Sequence, residues 1–128
     1  MSKIGRHINI SNGFVSTAEY TKSLGYNCYQ IFLGSPHSTS GKTQSTEDLL
    51  KLKSELKSLS MTIVIHGAYT INLCHTLGTN KSKNSINSLI TNLNASVIIG
   101  KRCMGVIIHM GKNIAENNMS NEQALEVI

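Results

Sequence analysis

The sequence predicts an α/β fold built on a parallel sheet, organised as about four βα units. Three observations predict it. Short apolar runs rich in β-branched residues alternate four times with longer stretches of helical periodicity. The runs lack polar alternation, as strands covered on both faces do. Helix-capping signals stand at the junctions between runs and helices. A sheet of this kind is flanked by helices, and two architectures supply it: an open doubly wound sheet, or half of a (β/α)8 barrel.

The first run is Ile4 to Ile10, closed by Ser11-Asn12-Gly13. A helix follows from about Ser16 to Leu24, with Gly25 in the place of a C-terminal capping glycine. The second run, Cys28 to Leu33, leads into a polar loop from Gly34 to Gln44. Ser45 and Asp48 have the spacing of a capping box, and Leu49, Leu52, Leu56 and Leu59 then recur on one helical face. Thr62-Ile63-Val64-Ile65 is the third run and ends at His66. The third helix is expected from about Lys83 to Ile99, with Ile86, Leu89, Ile90, Leu93 and Val97 forming its apolar face. Val106-Ile107-Ile108 is the fourth run and ends at His109; Ser120 and Gln123 then open a fourth helix. The chain stops eight residues after Ser120, inside an amphipathic helix. A half barrel would also leave two strands as open edges. Residues 1–128 are therefore expected to be the N-terminal part of a single barrel domain, either a fragment or one piece of a split protein.

The 128 residues are 40% apolar and 15% charged, a globular balance, with a net charge of +5 that suits a polyanionic partner such as nucleic acid. The three cysteines, Cys28, Cys74 and Cys103, are odd in number and form no C-x-x-C pair, which points to an intracellular, reducing compartment. Cys28 and Cys103 lie in or beside apolar runs and are expected to act as small buried hydrophobes. No run approaches the roughly 20 apolar residues of a membrane span, so no membrane association is expected.

The chemistry concentrates at two strand ends. Ile65-His66-Gly67 and Ile108-His109-Met110-Gly111 repeat one form: buried strand, histidine, then glycine within two residues. The carboxyl ends of parallel strands share one face, and that face carries the site. On adjacent strands roughly 5 Å apart, two imidazoles can share one metal. The competing reading is two ordinary strand-end histidines bonded to carbonyl groups. His7 lies inside the first run and could face the same mouth, with a structural role as its default. Gly34 to Thr43 imitates the phosphate-binding pattern G-x-x-x-x-G-K-S/T, but six residues separate Gly34 from Gly41 where four are needed. Glu47, Asp48 and Glu55 sit on a helix, and Glu116, Glu122 and Glu126 in a polar tail, so no carboxylate follows any of the four strands. A third metal ligand and a general base are thus not evident.

These residues resemble one family. Ile4-Gly5-Arg6-His7-Ile8 is similar to the opening G-A-H-V motif of endonuclease IV (AP endonuclease family 2), and Tyr29-Gln30-Ile31-Phe32 to its second strand. His66-Gly67-Ala68-Tyr69-Thr70-Ile71-Asn72-Leu73 resembles the family's H-x-x-Y-x-I-N-L segment, the most specific match. Val106 to Gly111 is similar to its segment of apolar residues, His, any residue and Gly. The resemblance runs over the whole chain and implies the first half of a TIM (β/α)8 barrel. It implies zinc-dependent hydrolysis of the phosphodiester 5′ to abasic sites in double-stranded DNA, a base excision repair reaction. Up to three zinc ions lie at the mouth of the complete family site, of which this chain would supply at most one partial site, through His66 and His109. Tyr69, His37, Ser35 and His7 would contact the DNA, His37 near the place where the family inserts a side chain. Arg6 and Met110 depart from the family's small residue and proline, and the loop Ser35 to Ser38 lacks its usual polar and basic residues. The family's remaining ligands have no counterpart here, so this chain alone is expected to be inactive.

Alternatives from other classes are a non-catalytic fragment or partner subunit that needs a second polypeptide or self-association to close the barrel, and a metal-dependent sugar isomerase or epimerase of the same superfold. ATP binding at Gly34 to Thr43 comes last. The expected compartment is the cytoplasm or nucleus, and a large DNA virus is one source compatible with the sequence.

Overall fold

A computed structural model describes residues 2–39 and 44–127. Strands β1 (Gly5–His7), β2 (Cys28–Ile31), β3 (Thr62–His66) and β4 (Cys103–Ile107) alternate with helices α1 (Phe14–Ser23), α2 (Thr46–Ser58), α3 (Asn80–Ile99) and α4 (Asn121–Val127). The four strands form one parallel sheet in the order β1-β2-β3-β4. That order decides between the two architectures. A doubly wound sheet reverses its strand order at a switch point, whereas a (β/α)8 barrel lays each strand beside the one before it. Among the described residues, the chain is four consecutive βα units of a barrel wall.

Alternation along the strands sorts side chains between two faces. Tyr29, Ile31 and Leu33 from β2 and its end, with Ile63 and Ile65 from β3, point to the helices. There they pack with Ala18 of α1, Leu49, Leu52 and Leu56 of α2, Met61, and Ala95 and Ile99 of α3. The opposite, concave face carries Gly5, Cys28 and Thr62 in one row and His7, Gln30 and Val64 in the next. The inner strands β2 and β3 are well covered, but β1 is exposed and β4 largely so. The expectation of four strands buried on both faces thus holds only for the inner pair. Cys28 and Cys103 are half-buried rather than fully buried, and Cys74 is the buried cysteine.

The capping signals operate. Ser45 Oγ accepts from the Asp48 N–H at 3.1 Å and donates to the Asp48 carboxylate at 2.6 Å, opening α2. Ser120 and Gln123 bond reciprocally at 3.2 and 2.9 Å, opening α4. Gly25 follows α1 at φ 84°, donating its N–H to the Lys22 carbonyl.

Helix α3 corrects the sequence reading. It starts at Asn80, capped by Thr79, and it buries Ser82, Ser85, Asn92, Ala95 and Ile99. Of the expected apolar face, Ile86, Ile90, Leu93 and Val97 are exposed, and Leu89 is half-buried. Small and polar side chains bring the helix close to α2 and β4, and the apolar stripe turns outward.

Candidate metal and nucleic-acid site

The site forms where β1, β2, β3 and β4 end. His66 is the last residue of β3 and is 8% exposed. Its Nδ1 stands 2.7 Å from the Gly67 carbonyl. A carbonyl only accepts, so Nδ1 carries the proton and the neutral ring keeps its lone pair on Nε2. A second-sphere bond of this kind fixes metal-binding imidazoles in many proteins.

His109 reaches the same place by a different route. It lies two residues beyond the end of β4, not on the strand end as expected. Ile63 pairs with Cys103 and Ile65 with Val106, so β4 spends one more residue than β3 over this stretch. This irregularity, between Cys103 and Val106, reverses the parity of everything after it. Ile107 now pairs with His66, and His109, two residues later, falls on the concave face. Without the extra residue, His109 would point to the helices. The two imidazoles stand 5.2 Å apart between centroids, tilted by 47°. This spacing lets two imidazoles share one zinc at metal–nitrogen distances of about 2.0–2.1 Å.

The donor set fits part of a zinc site. Two imidazole nitrogens are available, but among the described residues no group of three His, Cys, Asp or Glu side chains is placed to hold a metal. His7 ends β1 rather than lying inside its strand, and its ring is 6.3 Å from His66 with Phe32 packed against both. Gln30 Nε2 donates to His7 Nδ1 at 3.0 Å, which leaves Nε2–H as the donor of the neutral ring. Burial, and secondarily the nearby His66, hold the His7 pKa below the usual imidazole range. The Nδ1 lone pair of His7 is thus engaged by Gln30.

Tyr69 completes an aromatic ledge. Its ring lies 5.3 Å from His66, 5.6 Å from His109 and 5.2 Å from Phe32, and the residue is 52% exposed. The Tyr69 N–H donates to the Pro36 carbonyl at 2.8 Å, docking the β2 loop onto the β3 loop. This brings the exposed His37 ring within 6.1 Å of Tyr69. Ser35 stays outside the ring cluster, and its Oγ accepts from the His37 N–H at 3.2 Å. The cluster therefore gathers His66, His109, Tyr69, His37 and His7. Sequence reading gave no site role to Phe32, at the centre of the cluster, or to Gln30. Their signal was positional: both share the parity of His7 and His66 across paired strands. The phosphate-loop imitation ends in Gly41-Lys42-Thr43, which lies outside the described residues.

No family model matches the chain. An Acanthamoeba polyphaga mimivirus protein named for endonuclease 4 is 50% identical over 125 residues, 98% of this chain and 40% of that protein. A Symbiobacterium thermophilum protein of the same name is 31% identical over 114 residues, again spanning 40% of its length. The crystal structure of endonuclease IV from Thermus thermophilus superposes with a TM-score of 0.69 at 27% identity, over 98% of this chain and 46% of that one. The chain is a part-length relative of endonuclease IV. It spans about two-fifths of the length of the curated relatives it matches. D-psicose 3-epimerase also superposes, with a TM-score of 0.65 at 12% identity over 44% of its chain, a likeness of barrel fold alone. The endonuclease IV structure shares 27% of its residues with this chain and the epimerase 12%. Among the described residues no helix is long and apolar enough to cross a membrane.

Proposed function

We propose that residues 1–128 form the N-terminal part of a barrel that hydrolyses the phosphodiester 5′ to abasic sites in double-stranded DNA, with zinc as cofactor. The observation that carries this reading is the meeting of His66 and His109 at one mouth, 5.2 Å apart, beside Tyr69. His66 and His109 would hold one zinc of the complete site. The chemistry zinc supplies in such sites is activation of a water and stabilisation of charge on phosphorus and the leaving oxygen. The residues of this chain do the rest of its share. His66 keeps Nε2 free through its bond to Gly67. Tyr69 and His37 offer exposed rings against which an extruded abasic sugar can pack, and its extrusion costs little because no base is paired. His7 Nε2–H is available to a phosphate or sugar oxygen, and Ser35 stands beside His37 on the loop that would meet the duplex. The net charge of +5 favours that encounter. An intracellular, reducing compartment goes with this activity.

The missing ligands must come from further polypeptide, either the rest of a longer chain or a partner. The exposed stripe Ile86, Ile90, Leu93 and Val97, together with exposed Met104, Ile107 and Met110 along β4 and its loop, favours such a covering segment.

The test joins residues 1–128 to the remaining length of the mimivirus relative and measures incision of a duplex with one abasic site. Chelator-sensitive cutting by the chimera, lost in His66→Ala and His109→Ala, is expected, with the 128-residue chain silent. A cooperatively melting, zinc-loaded chimera that leaves the duplex intact would overturn the proposal.

A further inference from the structure

His66 is placed by a strand end and by its own bond to Gly67. His109 has neither. It lies beyond β4, its residue is exposed, and among the described residues no hydrogen bond holds its ring. Its position is set by the backbone that carries it, and that backbone is tied to the β3 loop at three levels. The Gly67 N–H donates to the Ile107 carbonyl at 2.8 Å, and the Leu73 N–H donates to the Met110 carbonyl at 3.0 Å. The third tie is a side chain. Asn72 Nδ2 donates to the Lys112 carbonyl at 2.9 Å, and Asn72 Oδ1 accepts from the Lys112 N–H at 3.1 Å.

The Asn72 carboxamide therefore grips one residue of the β4 loop, Lys112, at both its polar backbone groups. It does so from a rigid base. Oδ1 also accepts from the Cys74 N–H at 3.0 Å, and the Asn72 N–H donates to Ser85 Oγ on α3 at 3.2 Å, where Ser85 is 2% exposed. The neighbouring Gly111 is shaped to this grip. At φ 102° it is in the region that favours glycine, and a Cβ there would overlap the Asn72 carboxamide.

We infer that Asn72 is the positioning residue for His109: its carboxamide holds the β4 loop at Lys112 and so sets the separation of the two imidazoles. The functional meaning rests on the zinc reading above; the geometric claim does not. Residues that orient a ligand from outside the coordination sphere typically change metal affinity by about 10- to 100-fold when removed.

The experiment is carried out on the 128-residue chain. In the metal-free protein, nuclear Overhauser contacts between the His66 and His109 rings are measured for the native chain, Asn72→Ala and Asn72→Asp. Contacts across Ile65 and Val106 report whether the sheet is intact. Asn72→Ala is expected to lose the ring contact and keep the strand contact. Asn72→Asp keeps the shape and both accepted bonds but sets an oxygen against the Lys112 carbonyl, so its ring contact should be weakened. Zinc titration followed by the histidine ring shifts should then show an affinity about 10- to 100-fold lower for Asn72→Ala, with Asn72→Asp between it and the native chain. If Asn72→Ala fails to fold, Asn72→Asp alone decides by the same two readouts. An unchanged ring contact, with zinc affinity within twofold of native, would overturn the inference. If His66 and His109 of the native chain do not respond to zinc, the ring contact alone decides the role of Asn72, and the metal reading is decided on the chimera.

Discussion

At the scale of single residues, Tyr29 separates packing from polarity. Its ring is 2% exposed in the helix-facing core, yet its hydroxyl has no hydrogen-bond partner among the described residues. An unpaired buried hydroxyl costs about 1–3 kcal/mol, so Tyr29→Phe should raise stability by about 1 kcal/mol in denaturant unfolding. The same burial, and secondarily the charge of Glu55, push the phenol well above its usual range. The folded state therefore retains this proton where the unfolded chain has released it. The contribution is fully present below the unfolded tyrosine pKa of about 10 and is lost as pH rises above it. The native chain should lose stability with rising pH in that range more steeply than Tyr29→Phe, and Tyr29 should ionise last in an ultraviolet titration. His66, by contrast, was legible from its place at the end of an apolar run. Phe32 and Gln30 were not, because a concave-face role depends on what the neighbouring strand sets beside them.

At the scale of elements, local signals were reliable and long-range ones less so. The cap at Ser45 could be read from four residues, and Ser45→Ala should cost about 1 kcal/mol by thermal unfolding. The leucines of α2 face the core as their spacing indicated. The apolar stripe of α3 was read with the same rule and points the other way. Periodicity identifies a stripe but not what covers it, and in α3 the sheet side is taken by Ser85, Asn92 and Ala95. The irregularity in β4 was equally hidden, since the fourth run was read only from Val106 to Ile108 and β4 begins at Cys103. Its effect is testable by deleting Gly105. The deletion restores the parity of β4 and should turn His109 to the helix side, abolishing zinc-induced shifts of both histidines. Zinc shifts that persist in the deletion variant would show that parity does not place this ligand. Substitution in the sheet itself is costlier: Ile63→Ala, at a fully buried position, should destabilise the chain by about 2–5 kcal/mol.

For the whole molecule, the order β1-β2-β3-β4 confirms the barrel wall that strand count and family resemblance had suggested. The sequence could not say which surfaces need a cover. If further polypeptide closes the barrel, the 128-residue chain alone should self-associate. Light scattering after size exclusion should show species larger than a monomer, and Leu93→Ser with Val97→Ser should shift them toward it without loss of the folded core. A monomer in the native chain, melting cooperatively, would remove the need for a covering segment.

The strand order also governs how the chain can be assembled in time. Each strand pairs with the one made just before it, and none waits for a distant segment to fill a gap in the sheet. Pairing with the preceding strand closes the shortest loop a parallel sheet allows, and so costs less loop entropy than pairing with a more distant one. On a ribosome that emits about 5–20 residues each second, every βα unit can dock as it emerges, with the growing edge as its template. Synthesis would then build the wall stave by stave, and the mouth that gathers His7, His66 and His109 would take shape only when the last of these strands is laid.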